Sequence, residues 1–357
     1  MRSLKNLMVT GGAGFIGSNF IHFLLARKEF SGRVINVDKL TYAGNLENLR
    51  ALEGSFGGKR YFFEKADICN FERMKAIFEA YDIDTVVHFA AESHVDRSIL
   101  GPRAFIQTNI LGTFTLLEAA RARWAARGDV VFHHVSTDEV FGSLGKSGFF
   151  TESTAYDPKS PYSASKASSD HIARAMYHTY GLPVTLSNCS NNYGPFQFPE
   201  KLIPLAILNL LDQKPVPVYG DGKNIRDWLF VEDHACAIWT ILCNGVSGRT
   251  YAIGGENEWE NLVLVNALCE EVAVQTGKGR DALKNLITFV NDRQGHDRRY
   301  AIDCSRIKKE LGWRAQTDFA RGLEQTVRWY RENMEWVQHI TSGEYRGWIE
   351  RQYGVKG

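Results

Sequence analysis

The chain has almost no net charge. Its 42 Lys and Arg balance 41 Asp and Glu, for a formal charge of +1, so no overall field gathers nucleic acid or coats an anionic membrane. Any anion has to be held by local basic residues. Cys69, Cys189, Cys236, Cys243, Cys269 and Cys304 lie scattered, with no C-x-x-C pair and no histidine at zinc-site spacing. No metal is expected, and a reducing cytoplasm is the simplest setting. Long apolar runs are missing too. Leu202 to Leu211 is broken by Pro204 and Asn209 and reaches about half of the roughly 20 residues that span a bilayer. The opening MRSLKNLMVTGG carries too short an apolar stretch for a signal peptide and runs straight into a glycine turn. There is no internal repeat, low-complexity tract or long linker.

What remains is 357 residues, 44% apolar and 23% charged, enough for two domains or one domain with insertions. Up to about residue 190, short β-rich runs alternate with helical stretches. The runs are Leu7–Thr10, Val34–Asp38, Tyr61–Glu64, Thr85–Ala90, Val130–Ser136 and Val184–Asn188. Ile16, Phe20, Phe23, Leu24 and then Met74, Ile77, Phe78 show helical spacing. This pattern predicts an α/β fold with a doubly wound parallel sheet over residues 1–193. From residue 194 to 357 a smaller, mixed region is expected, with a helix near Ile203–Leu211 and strands near Pro215–Tyr219 and Trp228–Val231. A helix Asp233–Asn244 follows, and then a strand Thr250–Ile253 that rejoins the large sheet near 250–255. The rest reads as mostly helical, ending in a stripe of Phe319, Leu323, Val327 and Tyr330. This second region is expected to cover the first.

Leu7–Thr10 leads into Gly11-Gly12-Ala13-Gly14-Phe15-Ile16-Gly17. Glycines at i, i+3 and i+6 between a strand and a helix let backbone N–H groups approach a pyrophosphate at the helix N-terminus. Asp38, 21 residues after Gly17, is placed to accept hydrogen bonds from an adenosine ribose and to repel a 2′-phosphate, which favours NAD over NADP. Lys39 reads as a solvated lysine. Asp67, taken alone, reads as a cap for the helix starting near Asn70.

Tyr162-Ser-Ala-Ser-Lys166 sets a phenol and an ammonium four apart on a helix that Pro161 opens. The cation is expected to lower the phenol pKa and make Tyr162 a base toward a hydroxyl. The fifth strand ends in Thr137-Asp138-Glu139. Thr137 suits the same substrate oxygen, and the two carboxyl groups can serve as general acid and base if their environments push their pKa values apart.

With these residues stand TGGAGFIGS, NVDKLTYAGN, HFAAESHVDRS, VSTDEVFG, YSASK, SNNYGP, EKLIP, PVYGDGKNIRDWL and DRQGHDRRYAID. On them the chain resembles, over nearly its whole length, the extended short-chain dehydrogenase/reductase superfamily and within it the dTDP-glucose 4,6-dehydratases. The glycine turn and Tyr-x-x-x-Lys specify only the superfamily, whereas Thr-Asp-Glu with the last four segments specifies the dehydratases. The resemblance implies a Rossmann-like fold, lyase activity in deoxysugar formation and a homodimer joined through helices in Pro102–Ala125 and Tyr162–Tyr180. It implies that Gly11, Gly14, Phe15, Ile16, Gly17, Asp38, Asp67, Ile68, Ala91, Ser93, Thr108, Tyr162, Lys166 and Asn192 border NAD. Nucleotide-sugar contacts would come from Ser93, Thr137, Asn191, Lys201, Leu202, Pro217, Tyr219, Arg226, Asn261, Arg293, His296 and Tyr300.

Arg226 and Arg293 carry planar donor forks suited to a diphosphate. Taken singly, each reads as an ion pair, with Asp227 or with Asp292 or Asp297, and Tyr219 as a core tyrosine. Two departures stand out: Trp259-Glu260 where the family has a basic and a small hydroxyl residue before Asn261, and Phe141 in place of a tyrosine. The basic run from Arg298-Arg299 to Lys308-Lys309, broken by Asp303, reads as solvated or diphosphate-facing. Rival functions are a nucleotide-sugar 4-epimerase, which needs no Asp-Glu pair, a UDP-glucose dehydratase, which differs only in the base pocket, and a non-catalytic NAD-binding scaffold.

Overall fold

A computed structural model of the chain describes residue 2, residues 4–125 and residues 127–341; positions 342–357 of the expected second region lie outside the described residues. The strands, in chain order, are β1 (Asn6–Thr10), β2 (Arg33–Asp38), β3 (Tyr61–Lys65), β4 (Thr85–His88), β5 (Val131–Thr137), β6 (Val184–Cys189), β7 (Asn191–Tyr193), β8 (Val216–Tyr219), β9 (Ile225–Phe230), β10 (Thr250–Ile253), β11 (Glu258–Glu260) and β12 (Ile287–Val290). Seven of them form one parallel sheet in the order β10-β6-β5-β4-β1-β2-β3, with Leu7 opposite both Val34 and Thr85. The order reverses at β1, the switch point at which a doubly wound sheet binds its ligand. The expected fold class is the observed one.

Both faces are covered by helices, and all the sheet strands but the edge strand β3 are buried almost throughout. On one face Phe20, Ile21 and Leu24 of the helix Phe15–Ala26 pack with Ile238, Trp239 and Leu242 of the helix Val231–Asn244. On the other, Met74, Ile77 and Phe78 meet Leu116 and Leu117 and, beyond them, Ala173 and Met176. The chain after residue 194 thus contributes both β10 and a covering helix to the large layer. The helix Ser305–Leu311 packs its Ile307 with Tyr251 and Ile253 of β10, while other helices of this region enclose a separate core of Ile203, Ile207, Leu264, Leu268, Phe319, Leu323, Val327 and Tyr330.

The helix that carries Tyr162 is fixed at both ends. Ser160 and Ser163 form a reciprocal capping box, Pro161 takes the first helical position, and Gly181 closes the C-terminus at φ +67°. Each cap contributes about 1 kcal/mol. β4 stops at His88, two residues short of the expected Ala90, because Phe89 and Ala90 turn to meet Thr10 and the Gly11 backbone. The stretch expected to be mostly helical contains β11 and β12, which pair with β9 and β8. Among the described residues, no helix is long and apolar enough to cross a membrane.

Candidate active site

One cavity of about 420 Å³ opens at the carboxyl edge of the sheet, and every residue given a site role in the sequence analysis lines it. Its floor is the glycine turn. A Cβ at Gly11, whose φ is +69°, would stand 2.6 Å from Ala90 N, and one at Gly17 would stand 2.3 Å from Gly11 O, while at Gly14 the nearest atom is 3.3 Å away. The first and third glycines therefore close the turn, and the second leaves its face open. The helix behind it has no side-chain cap and no acid in its first turn, so its amide dipoles suit an anion. Asp38 receives Ala13 N–H (3.0 Å) on one oxygen and Leu40 N–H (2.8 Å) on the other, with lone pairs left for a ribose. Burial raises its pKa and those two amides oppose the rise. These residues fit NAD.

Two expectations at this edge are corrected. Asn70, not Asp67, caps the helix Phe71–Ala80, because the capping position immediately precedes the first helical residue. Asp67 instead accepts Cys69 N–H (2.9 Å) and pairs with Lys39 at 2.7 Å, so Lys39 is not simply solvated.

β5 delivers Thr137, and the chain turns at once into the short helical turn Asp138–Phe141. The Thr137 hydroxyl donates to Asp138 (3.3 Å) and accepts Glu139 N–H (3.3 Å), and it lines the same cavity as Tyr162. The carboxyl groups differ in their surroundings. Asp138 is pushed well above the usual carboxylate range by burial, Glu139 and Asp227, and its second oxygen is buried without a partner. Burial also raises Glu139, but Arg293, Lys201 and Arg226 favour its charged form. The two neighbouring carboxyl groups thus sit in unequal surroundings, the condition under which one can donate a proton and the other accept one.

Tyr162 departs from expectation. Burial, Glu139, Cys189 and Asp138 hold its phenol well above its usual pKa, and the Lys166 ammonium donates to Val135 O at 2.9 Å. In the protein alone burial is the largest cause of that rise, ahead of the acidic neighbours, and keeps the phenol protonated.

On the substrate side neither expected arginine ion pair forms among the described residues. Along β9 successive side chains alternate sides. Arg226 turns into the cavity, bonded to the carbonyls of Ile225 and Asp297 and stacked 4.2 Å from the Tyr300 ring. Asp227 turns away and accepts Gly255 and Asn257 N–H. Arg293 lies 3.9 Å from Asp96, which also accepts the Tyr219 hydroxyl (3.2 Å), so Tyr219 is not a plain core tyrosine. Asn192 lines the cavity, yet its amide is occupied by His234 (2.8 Å) and Ser190 O (3.0 Å). Trp259 stacks on Phe319 at 4.8 Å, which leaves Asn261 at the head of its helix with its carbonyl oxygen buried and unpartnered. Phe141 packs on Phe150 and Tyr156. Arg298 and Arg299, in the basic run, pair with Asp221 and Glu258.

Sequence reasoning missed Asp96 and Glu200, both cavity-lining. Glu200 joins Tyr42 (2.8 Å) to Arg97 (3.3 Å), tying the loops after β2 and β4 to the substrate side. Their only signal was that they lie in HVDRS and beside Lys201.

The GDP-mannose 4,6 dehydratase family model matches residues 8–326. A dTDP-glucose 4,6-dehydratase from Shigella flexneri is 53% identical over 97% of this chain and 98% of its own length, and one from Neisseria meningitidis is 53% identical over 96% and 98%. The chain belongs to the dTDP-glucose 4,6-dehydratase family. Among solved structures, a dTDP-glucose 4,6-dehydratase from Streptomyces venezuelae with NAD bound is 45% identical at a TM-score of 0.85, covering 94% of this chain and 99% of that one. A UDP-glucose 4-epimerase from Thermotoga maritima reaches a TM-score of 0.81 at 28% identity, covering 92% and 99%. The fold is shared with epimerases, whereas the higher identity lies with the dTDP-glucose 4,6-dehydratase family.

Proposed function

We propose that this chain is a hydro-lyase that dehydrates dTDP-glucose to dTDP-4-keto-6-deoxyglucose. The observation that carries this is the pair of buried Asp138 and half-buried Glu139, acids prevailing around the first and cations around the second, in the same cavity as Tyr162, Lys166 and the glycine cradle. An epimerase has no use for such a pair.

Gly11, Gly14, Gly17 and Asp38 hold NAD, which when bound supplies a positively charged hydride acceptor and later returns the hydride. With the positive charge of bound NAD and of Lys166 beside it opposing the burial that raises its pKa, Tyr162 would ionise and, as phenolate, accept the proton of the sugar C4 hydroxyl while Thr137 holds that oxygen. Lys166 contributes positive charge beside the phenolate. The C4 ketone acidifies C5–H, Glu139 removes that proton, and Asp138 protonates the departing C6 hydroxyl, so water leaves; the resulting C5=C6 bond is saturated by the returned hydride at C6 and a proton delivered to C5. Arg226 and Arg293 hold the diphosphate, and Tyr219 and Asn261 face the base.

A homodimer follows from the same reading. Leu111 and Phe114, on the chain segment expected at the interface, are 48% and 45% exposed, a face suited to a second copy. Light scattering should give twice the chain mass. A cytoplasmic setting fits six free cysteines.

The function is tested by incubation with dTDP-glucose and UDP-glucose separately, with product identification by mass and NMR. The 4-keto-6-deoxy product from the thymidine sugar supports it. The same product from UDP-glucose alone reassigns the base, and a 4-epimer overturns it.

A further inference from the structure

The helix Pro161–Tyr180 carries Tyr162, Lys166 and Asp170 at four-residue intervals, one stripe on one face. All three are buried, at 8%, 4% and 0% exposure. A lysine ammonium taken out of water loses its proton readily unless a counter-charge stands by. The Val135 carbonyl that Lys166 touches offers only a dipole.

The titratable groups that interact electrostatically with Lys166 come from the helix itself and from three strands. β4 brings His88 and β5 brings His134. Burial lowers both, His134 to about 4, so neither is charged near neutrality. β6 brings Cys189, whose thiol burial pushes up to about 12. Asp170 is different. Burial raises its pKa, but the opposing interactions with His134, Lys166 and Tyr156 win, and its carboxyl lies below the usual range. It is bonded by His134 Nε2 (3.1 Å), the Tyr156 hydroxyl (2.7 Å) and the Asn188 amide (3.2 Å). Arg174 donates to the Tyr156 hydroxyl at 2.7 Å and also adds positive charge beside His134. Three neutral donors hold the carboxylate without cancelling its charge.

We propose that Asp170 is a positioning residue for the reaction: its carboxylate, one helical turn beyond Lys166, is the buried counter-charge that keeps the Lys166 ammonium protonated beside Tyr162. The neutral donors around Asp170 serve to keep it ionised and fixed. The proposal rests on the assignment of Tyr162 and Lys166 above. It differs from a purely structural role because the charge of Asp170 matters, not the volume it fills.

The test is the titration of Lys166 in the absence of substrate, followed by its 13Cε shift in lysine-labelled protein and assigned with Lys166→Met. In Asp170→Asn the midpoint should fall by about 1–3 pH units. In Tyr156→Phe, which disturbs the same cluster and keeps the carboxylate, it should move by no more than a few tenths. Asp170→Glu should restore most of it. C4 oxidation by Asp170→Asn in a single turnover should then fail at a lower pH than in the wild type. An unmoved lysine midpoint overturns the proposal, as does oxidation that drops equally at every pH. Asp170→Ser replaces Asp170→Asn if the latter does not fold, and if both neutral variants fail to fold while Asp170→Glu folds, the residue is structural and the proposal falls. A shifted lysine in a protein that makes no product from dTDP-glucose would instead refute the functional reading and leave the counter-charge in place.

Discussion

The two edges of the cavity are built differently. The cofactor edge is backbone: a turn whose glycines meet Ala90 and Gly11 at distances no Cβ permits, an uncapped helix end, and Asp38 held by two amides. The substrate edge is side chain: Arg226 on β9, Tyr219 on β8, and Arg293, His296 and Tyr300 from the segment after β12. Cofactor recognition centres on one turn, Gly11–Gly17, with Asp38 at the end of the next strand, whereas substrate recognition is gathered from β8, β9 and the segment after β12. One edge should consequently lose affinity for one ligand only when altered, and the catalytic residues between them should affect neither affinity much.

The largest effect that tests this division belongs to the groups in the middle. Asp138→Asn or Glu139→Gln should slow water loss by about 10²–10⁴-fold while C4 oxidation persists and both ligands still bind. Single-turnover absorbance of the reduced nicotinamide separates the steps. The elimination rate should be bell-shaped in pH. It rises as Glu139 loses its proton and falls as Asp138 loses its own, with both limbs above the ordinary carboxylate range because both pKa values are raised; the two limbs belong to the pair.

Next in size, Arg293→Met should weaken nucleotide-sugar binding by about 1.5–3 kcal/mol, the scale of a hydrogen bond to a charged group, and leave NAD affinity unchanged by calorimetry. Asp38→Ala should do the converse, costing NAD about 1–3 kcal/mol with no effect on dTDP. If either variant moved both affinities equally, the division into two edges would be wrong. The smallest effect is Tyr219→Phe, which removes one hydrogen bond to Asp96 and should change KM by about 0.5–1.5 kcal/mol.

The same contrast explains what could be read from the sequence. β1, β2, β4, β5 and β6 are β-rich runs buried almost throughout, β3 is a half-buried aromatic edge strand, and the limits of all six come within two residues of those expected. β7 and β11 have three residues each, too few to show a period, and β12 exists because β8 lies beside it. The glycine turn and Tyr162–Lys166 are local patterns whose geometry follows from spacing. Arg226 is not local: its neighbour Asp227 suggested an ion pair, but strand alternation sends the two to opposite sides. Asp96 and Glu200 acquire partners only when distant loops meet. The pKa of Tyr162 was misjudged for a related reason, since the lysine four residues away was visible and the depth of burial among Glu139, Cys189 and Asp138 was not.

The central claim is that one cavity oxidises C4, eliminates water across C5 and C6, and returns the same hydride to C6. dTDP-glucose deuterated at C4 tests it most directly. The account predicts a 4-keto-6-deoxy product with deuterium in its C6 methyl group, and label at C5 when the reaction runs in heavy water. Deuterium retained at C4 beneath an inverted hydroxyl, or a C6 label drawn only from heavy water, would contradict it.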